Sequence, residues 1–474
     1  MREKSDLSRR EFLGSTAAAM AVAGGMNLRA SDAADAAEVT PAVRSSPASI
    51  LVLYLAKPVP SWPRPDFKPQ DDIQRIRPVL EAFETRPQLS VKFTGHELLR
   101  VPEDLSRVQG GLQEADGLLV FNLTSGVMNL IEPLSKSGLP LVLFSQPYSG
   151  HDWSQWSALL AQGRRVELVA SSDFGDLETP LRVLAARHHL RQSQVVCIRP
   201  DTEPTASSRA LEEKFGATIR FLPYSRLQGL YEAADRHAAQ REATAFMNAA
   251  LKVVEPKPAD VTDAFRLYYA VEKLLEEEHA NAITIDCLGG FHRGELPAYP
   301  CVAWSKLNDR GLYGVCEADL QSTFTQMLFT AYSGNPGFVS DPVIDTKTNT
   351  IIHAHCVAAT RMDGVNGPSA PYIVRSHMED NKGVSMQVNM RVGQTVTLAK
   401  LADADSLLVS TGRIIAAPDL PRGCRTKVAT EVRDAAKMLV NYSGGLHRVL
   451  FYGDHLRAAH QMGHLLGLKV IEET

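Results

Sequence analysis

Ile50-Leu51-Val52-Leu53-Tyr54 runs for five residues without a charged or amide side chain. A strand with one wet face alternates apolar and polar positions. An unbroken run bounded by turn residues marks a strand covered on both faces, as in a parallel sheet. Gly117-Leu118-Leu119-Val120-Phe121 and Leu141-Val142-Leu143-Phe144 have the same form. Segments between them, such as Asp71 to Phe83, space their apolar residues as crossover helices do. Strand, helix, strand, helix is the α/β pattern. Val166 to Ala170 and Val195-Val196-Cys197-Ile198 continue the series, and Arg199-Pro200 interrupts it.

A second α/β unit follows. Ala206 to Phe215 reads as a helix ended by Gly216, and Thr218 to Phe221 as a strand. Val261 to Glu278 carries apolar residues at 261, 265, 268, 271, 274 and 275, one face of a long helix. Ala282 to Asp286 reads as a strand. After about residue 370 short β-rich runs dominate: Tyr372 to Arg375, Val384 to Met390, Thr395 to Ala399, Leu407 to Val409 and Arg413 to Ala416. Their spacing suggests a small antiparallel barrel or sandwich. The end returns to α/β, with a strand from His447 to Tyr452, a helix from Asp454 to Leu466 and then Leu468-Lys469-Val470. The expected architecture is two doubly wound α/β domains, 48–195 and 196–345, the second carrying metal-ligand carboxylates. A C-terminal domain, 346–474, contains the small antiparallel β-barrel.

The chain has 474 residues, enough for about three domains. Hydrophobic residues are 44% and charged residues 22%, which excludes a chain disordered throughout. Acidic residues outnumber basic ones 54 to 50, so no global basic field points to nucleic acid. Six cysteines are too few for a disulfide scaffold. No apolar stretch approaches the ~20 residues of a membrane span.

The N-terminus holds Ser8-Arg9-Arg10-Glu11-Phe12-Leu13, then an Ala-rich run from Gly14 to Met26 and small residues from Ala30 to Ala37. Paired arginines, a weak apolar region and a small-residue tail form the twin-arginine export pattern. Residues 1–40 are expected to engage the twin-arginine translocase. The mature chain is then periplasmic or otherwise exported, with no integral membrane span. This route carries folded proteins, so a metal can be loaded before export.

The densest chemistry lies between Asp286 and His355. Cys316-Glu317-Ala318-Asp319 precedes a helix with apolar residues at 320, 324, 327, 328 and 331. An acidic residue is favoured at a helix N-terminus by the dipole, which accounts for Asp319. Glu317 stands near the inward face and is a candidate functional carboxylate. Asp341 closes the run Gly334 to Asp341 before Pro342. It is either a turn aspartate or a carboxylate at the carboxyl end of a strand, where α/β proteins place functional groups. His353 and His355 lie two apart in the strand Ile351 to Cys356, so they share a face. Such a pair binds a metal, or else holds one exposed and one hydrogen-bonded ring. His447 opens an apolar strand and reads as a core histidine unless carboxylates converge on it. Gly-x-Ser-x-Gly, Walker and Cys-x-x-Cys motifs are absent, which weighs against nucleotide cofactors and serine hydrolysis. Cysteines at 287, 301, 316 and 356 surround this region without a zinc-site spacing.

Gly314-Val315-Cys316-Glu317-Ala318-Asp319, the Gly334 to Asp341 segment and His355-Cys356 resemble the L-fucose isomerase and L-arabinose isomerase superfamily. Val396 to Ala399, Cys424-Arg425-Thr426 and Gly445 to Asp454 resemble its C-terminal region, so the likeness covers residues 280–474. The resemblance implies a divalent metal, most often Mn²⁺, held by Glu317, Asp341 and His447. His355 matches a further histidine of the arabinose branch, a fourth ligand or a group behind the ligands. It also implies an aldose–ketose isomerase acting on a free monosaccharide through an enediol. Glu317 and Asp341 are then the catalytic pair that carries the proton between carbons, while the metal polarises the carbonyl. A homo-oligomer with sites near subunit contacts is implied too. Trp304, Lys306 and His292 are candidates for the wall of the sugar pocket. An export signal is unusual for this superfamily. It leaves two alternatives: an exported carbohydrate-binding protein without turnover, and an epimerase or lyase using the same metal site.

Overall fold

The computed structural model describes residues 46–474, and the twin-arginine segment lies outside the described residues. The first sheet contains β1 (Ala48–Leu55), β2 (Val91–Leu99), β3 (Gly117–Asn122), β4 (Leu141–Ser145) and β5 (Val166–Ala170). Their order is β2-β1-β3-β4-β5, with every pair parallel. The unbroken run in β1 works as its composition requires. Ile50, Val52 and Tyr54 enter one core, and Leu51, Leu53 and Leu55 enter another on the opposite face. Each such aliphatic side chain stabilises the fold by about 1.5–3 kcal/mol. Edge strand β2 gave no such run. Val91-Lys92-Phe93-Thr94 alternates, and its register against β1 shifts where Gly95 and His96 turn to positive φ.

The second sheet is built from β6 (Gln194–Ile198), β7 (Thr218–Leu222), β9 (Ala282–Ile285) and β10 (Tyr313–Cys316), with the two-residue β8 (Lys252–Val253) elsewhere. Its order is β7-β6-β9-β10, again all parallel. The run Val195 to Ile198 therefore opens this sheet instead of closing the first. In both sheets the first two strands are swapped relative to chain order. That arrangement opens a crevice at the carboxyl ends of the strands.

The remaining strands are β11 (Phe338–Asp345), β12 (Thr350–His355), β13 (Tyr372–Arg375), β14 (Ser385–Val388), β15 (Thr395–Leu401), β16 (Ser406–Ala416), β17 (Thr426–Val432), β18 (Arg448–Tyr452) and β19 (Lys469–Glu472). Six of them close an antiparallel barrel in the order β15-β18-β11-β12-β17-β16, with β16 returning to β15. Closure removes the exposed edges that a sandwich would leave. The sequence reading changes here: Tyr372 to Arg375 and Val384 to Met390 pair with each other and with β8 in a separate sheet, outside the barrel. The barrel begins at β11, well before residue 370. Leu407 to Val409 and Arg413 to Ala416 are one strand. The strand after His447 belongs to the barrel and not to a returning α/β unit. Asp341, read either as a turn residue or as a carboxylate closing a strand, lies inside an antiparallel strand.

The helix Leu320–Ser333 joins sheet to barrel. It packs against β9 and β10 and also against β15 and β18, with Phe324, Met327, Leu328 and Phe329 fully buried. Among the described residues no helix is long and apolar enough to cross a membrane.

Candidate metal site

Strand register assembles the site. In the β11–β18 ladder Ser340 stands opposite Arg448, so Asp341 comes level with His447. In the β11–β12 ladder Asp341 stands opposite Ala354, the neighbour of His355. One end of the barrel thus presents Asp341, His355 and His447. Glu317 arrives from the carboxyl end of β10. Two successive non-glycine residues there, Glu317 (φ 65°) and Ala318 (φ 52°), are left-handed. Each costs on the order of 1–3 kcal/mol, which the surrounding structure must hold in place. Ala318 N donates to Ile285 O at 3.0 Å and Asp319 N to Cys316 O at 3.3 Å, fixing the turn. Gly314 is required in β10, because a Cβ there would lie 2.7 Å from the Trp304 ring.

Glu317, His355 and His447 form a triad able to hold a metal ion, their ligand atoms all within 4.8 Å of one another. Glu317 Oε1 is 3.7 Å from His355 Nε2, and Glu317 Oε2 is 3.5 Å from His447 Nε2. Asp341 Oδ1 lies 3.4 Å from the same His447 nitrogen. The carboxylates face solvent, with side chains 34% and 28% exposed, while the imidazoles beneath are 4% and 5% exposed. Both Nε2 atoms are buried and have no hydrogen-bond partner. Buried polar atoms are almost always paired, so two orphans turned to one place mark a site with something to bind.

The two rings differ in what they offer. His447 Nδ1 donates to Asp319 Oδ2 at 2.8 Å, which leaves the Nε2 lone pair free for a cation. His355 Nδ1 accepts from Cys356 N at 2.8 Å, so its Nε2 carries the hydrogen and acts as a donor. Burial, helped by the nearby His447 charge, pushes the His355 ring down to about 3 and keeps it neutral.

Asp319 does more than the cap expected of it. It caps the helix Leu320–Ser333 through Ser322 N at 2.9 Å, and the same carboxylate takes the His447 hydrogen bond and the Lys400 ammonium at 2.5 Å. Burial opposes its charge, but the His447 hydrogen bond and Lys400 prevail and hold its carboxyl well below the usual range. Burial likewise opposes charge on His447, yet the Asp319 hydrogen bond and the Glu317 carboxylate 3.5 Å from Nε2 push it up to about 9. The adjoining His447 ring holds Glu317 low, against burial. Burial dominates at Asp341 and pushes it up to about 6.

Of the His-x-His pair only His355 reaches the site. His353 is held in the barrel wall by Ser340 Oγ at 3.0 Å and Thr430 Oγ1 at 3.1 Å. Trp304 is fully buried and fills core, Lys306 lies over the Phe265 ring, and the His292 ring bonds back to Leu288 O. Sequence reasoning missed the link from Lys400 through Asp319 to His447, because three distant segments make it and no local pattern announces it.

No family model and no curated protein matches the chain. A solved structure described as a two-component system response regulator/GGDEF domain protein is similar over 50% of this chain and 82% of its own, at 15% identity and a TM-score of 0.24. That likeness is too slight to bear on fold or site. Fold and site together define a mixed α/β and β-barrel protein with a carboxylate–imidazole cluster suited to a divalent cation.

Proposed function

We propose that this chain is a metal-dependent aldose–ketose isomerase of the L-fucose/L-arabinose isomerase type, acting on a free monosaccharide through an enediol. The observation behind the reading is the pair of unpartnered imidazole nitrogens buried beneath two solvent-facing carboxylates. Glu317, Asp341 and His447 are the residues that would hold the cation. Two oxygen ligands and one imidazole suit Mn²⁺ better than a soft metal that seeks thiolates. When bound, the cation supplies Lewis-acid stabilisation of the negative charge that develops on the sugar oxygens.

The chain's own residues do the rest. Glu317 and Asp341 border the same solvent-facing space and are the pair that moves the proton between C1 and C2, as base and then as acid. His355 keeps its Nε2–H turned toward Glu317 and orients that carboxylate. Asp319 holds the His447 ring with its lone pair outward. The burial of both rings keeps water from the imidazole side. The twin-arginine pattern would place this reaction outside the cytoplasm, with the folded chain already loaded.

The test begins with elemental analysis of the purified chain beside His447→Ala. About one divalent ion per chain, lost in the variant, is expected. NMR of aldoses incubated with the loaded protein should then show ketose. Absence of metal even after reconstitution would overturn the reading. Metal and sugar binding without turnover would point to a binding protein, and a different product to an epimerase or lyase.

A further inference from the structure

We propose that His377 is a further substrate-contacting residue of this site, its imidazole Nδ1 hydrogen-bonding a hydroxyl of the bound sugar. The inference rests on the sugar-isomerase reading above and deepens it. His377 follows β13 and is 6% exposed, and its Nδ1 is buried with no hydrogen-bond partner. An imidazole nitrogen left in that state costs free energy unless a ligand completes it.

The ring is held still. It stacks on Tyr299 at 4.1 Å with an 11° interplanar angle, and Tyr299 stacks on Phe291 at 4.0 Å. Tyr299 OH donates to Asp380 Oδ2 at 2.9 Å, within the loop that carries His377. That loop is folded on itself, since His377 N donates to Lys382 O at 2.8 Å and Asn381 N to His377 O at 3.0 Å. Gly383 closes it at φ +56°, where a Cβ would stand 2.9 Å from the Tyr299 ring. A side chain fixed this firmly, with one nitrogen unused, has the rigidity that substrate positioning needs.

Two sets of contacts link the ring to residues beside two members of the metal triad. On one side Ser376 O accepts from Arg425 Nε at 2.8 Å and from Ser385 Oγ at 2.8 Å. Arg425 precedes Thr426, the partner of His355 in the β12–β17 ladder. On the other side Tyr299 shares a buried core with Cys287 and with Cys316, the neighbour of Glu317. A hydroxyl on the far carbons of a monosaccharide held at Glu317 is the chemistry that would complete Nδ1. The ring needs no change of charge for this, since a hydroxyl both donates and accepts.

The test uses the full chain loaded with Mn²⁺ and titrated calorimetrically with ribitol, xylitol, arabinitol and fucitol, which cannot turn over. His377→Phe keeps the ring stack and removes Nδ1, whereas His377→Asn returns a polar atom near that position. Mn²⁺ stoichiometry should be unchanged in both. Affinity for the tightest alditol should fall about tenfold in the Phe variant and less in the Asn variant. Wild-type alditol affinity in His377→Phe would overturn the proposal. If that variant fails to hold Mn²⁺, His377→Gln decides, because it replaces Nε2 and leaves Nδ1 unreplaced. A tenfold loss there supports the role, and wild-type affinity sinks it. A wild-type chain that binds Mn²⁺ but none of the alditols would instead overturn the sugar reading itself, and this inference with it.

Discussion

Asp319 Oδ2 accepts a 2.8 Å hydrogen bond from His447 Nδ1 across 128 positions of sequence. The bond keeps a hydrogen on Nδ1, so Nε2 is the nitrogen that gives up its proton to a cation held beside Glu317 and Asp341. Lys400, 1% exposed, neutralises the same oxygen. Carboxylates placed behind a metal-binding imidazole typically change metal affinity 10–100-fold when altered. Asp319→Asn keeps a competent helix cap, since Asn and Asp cap equally well. We therefore expect little loss of helix stability from capping, but a fall in Mn²⁺ affinity of about 10–100-fold. Titration calorimetry of the variant checks this. Unchanged affinity would reduce Asp319 to a cap.

Acidity should compete with the metal. In the metal-stripped protein His447 titrates near 9 and Asp341 near 6. Below 9 a cation must displace the His447 proton, so Mn²⁺ affinity should rise about tenfold per pH unit between 6 and 9. Below 6 Asp341 adds a second proton and the slope steepens. The linked stability has a definite sign. The folded His447 value lies above the unfolded one of 6.5, so its contribution is whole below 6.5 and disappears as pH rises through 9. The size is about 3 kcal/mol at one pKa unit per 1.36 kcal/mol. Asp341 is raised too, and therefore destabilises the stripped chain as pH rises from 3.8 through 6. Denaturant melts in chelator at pH 6.5 and 9, beside melts with Mn²⁺, should show the metal-free chain losing stability over that window.

Much of this was legible in the sequence, and the limits are physical. The runs at Ile50, Gly117 and Leu141 announce buried parallel strands because both faces are covered. Glu317, His355 and His447 were identifiable by chemical type and by resemblance. Asp341 could be read as a turn residue or as a strand end but not as lying within an antiparallel strand, since an apolar run before an acid looks alike in all these settings. Strand β2 was hidden by its alternation at a sheet edge. His353 could not be separated from His355 without Ser340 and Thr430, which come from other strands. The Asp319–His447–Lys400 contact is wholly tertiary.

Substitutions at the two imidazoles should part company. His447→Ala removes a free lone pair and should abolish stoichiometric Mn²⁺. His355→Gln removes a ring whose Nε2 carries a hydrogen and should keep metal, with affinity lowered by about tenfold or less, the scale of one ordinary hydrogen bond. Elemental analysis after dialysis distinguishes them. Equal metal loss in both variants would make His355 a ligand and its present ring orientation irrelevant.

The strained turn offers a separate check. Ala318 sits at φ 52° immediately after Glu317, and a left-handed residue costs roughly 1–2 kcal/mol unless it is glycine. Glycine repays part of that gain as unfolded-state entropy, about 0.5–1 kcal/mol. Ala318→Gly should leave thermal stability equal to wild type or slightly higher, whereas Ala318→Val should lower it by more than about 1 kcal/mol. Calorimetric melts decide. A Val variant as stable as wild type would mean that the turn relaxes freely and does not pin Glu317.

Association should leave its mark on exposed apolar residues of the C-terminal region. Leu446 precedes His447 and is 58% exposed, Val343 follows Asp341 by two residues and is 55% exposed, and Leu439 and Val440 on the helix Ala435–Asn441 are 57% and 85% exposed. Large exposed apolar side chains favour burial against another surface. The resemblance to isomerases whose sites lie near subunit contacts leads us to expect a homo-oligomer that covers these residues. Light scattering of the purified chain should give a mass several times that of one chain, and Val440→Asp should shift it toward smaller species. Val440→Asp destabilises no core, because the side chain is exposed, so a shift in mass at unchanged melting temperature isolates the contact. A clean monomer in the wild type would remove the oligomer from the reading, while the metal site, assembled from residues of a single chain, would remain.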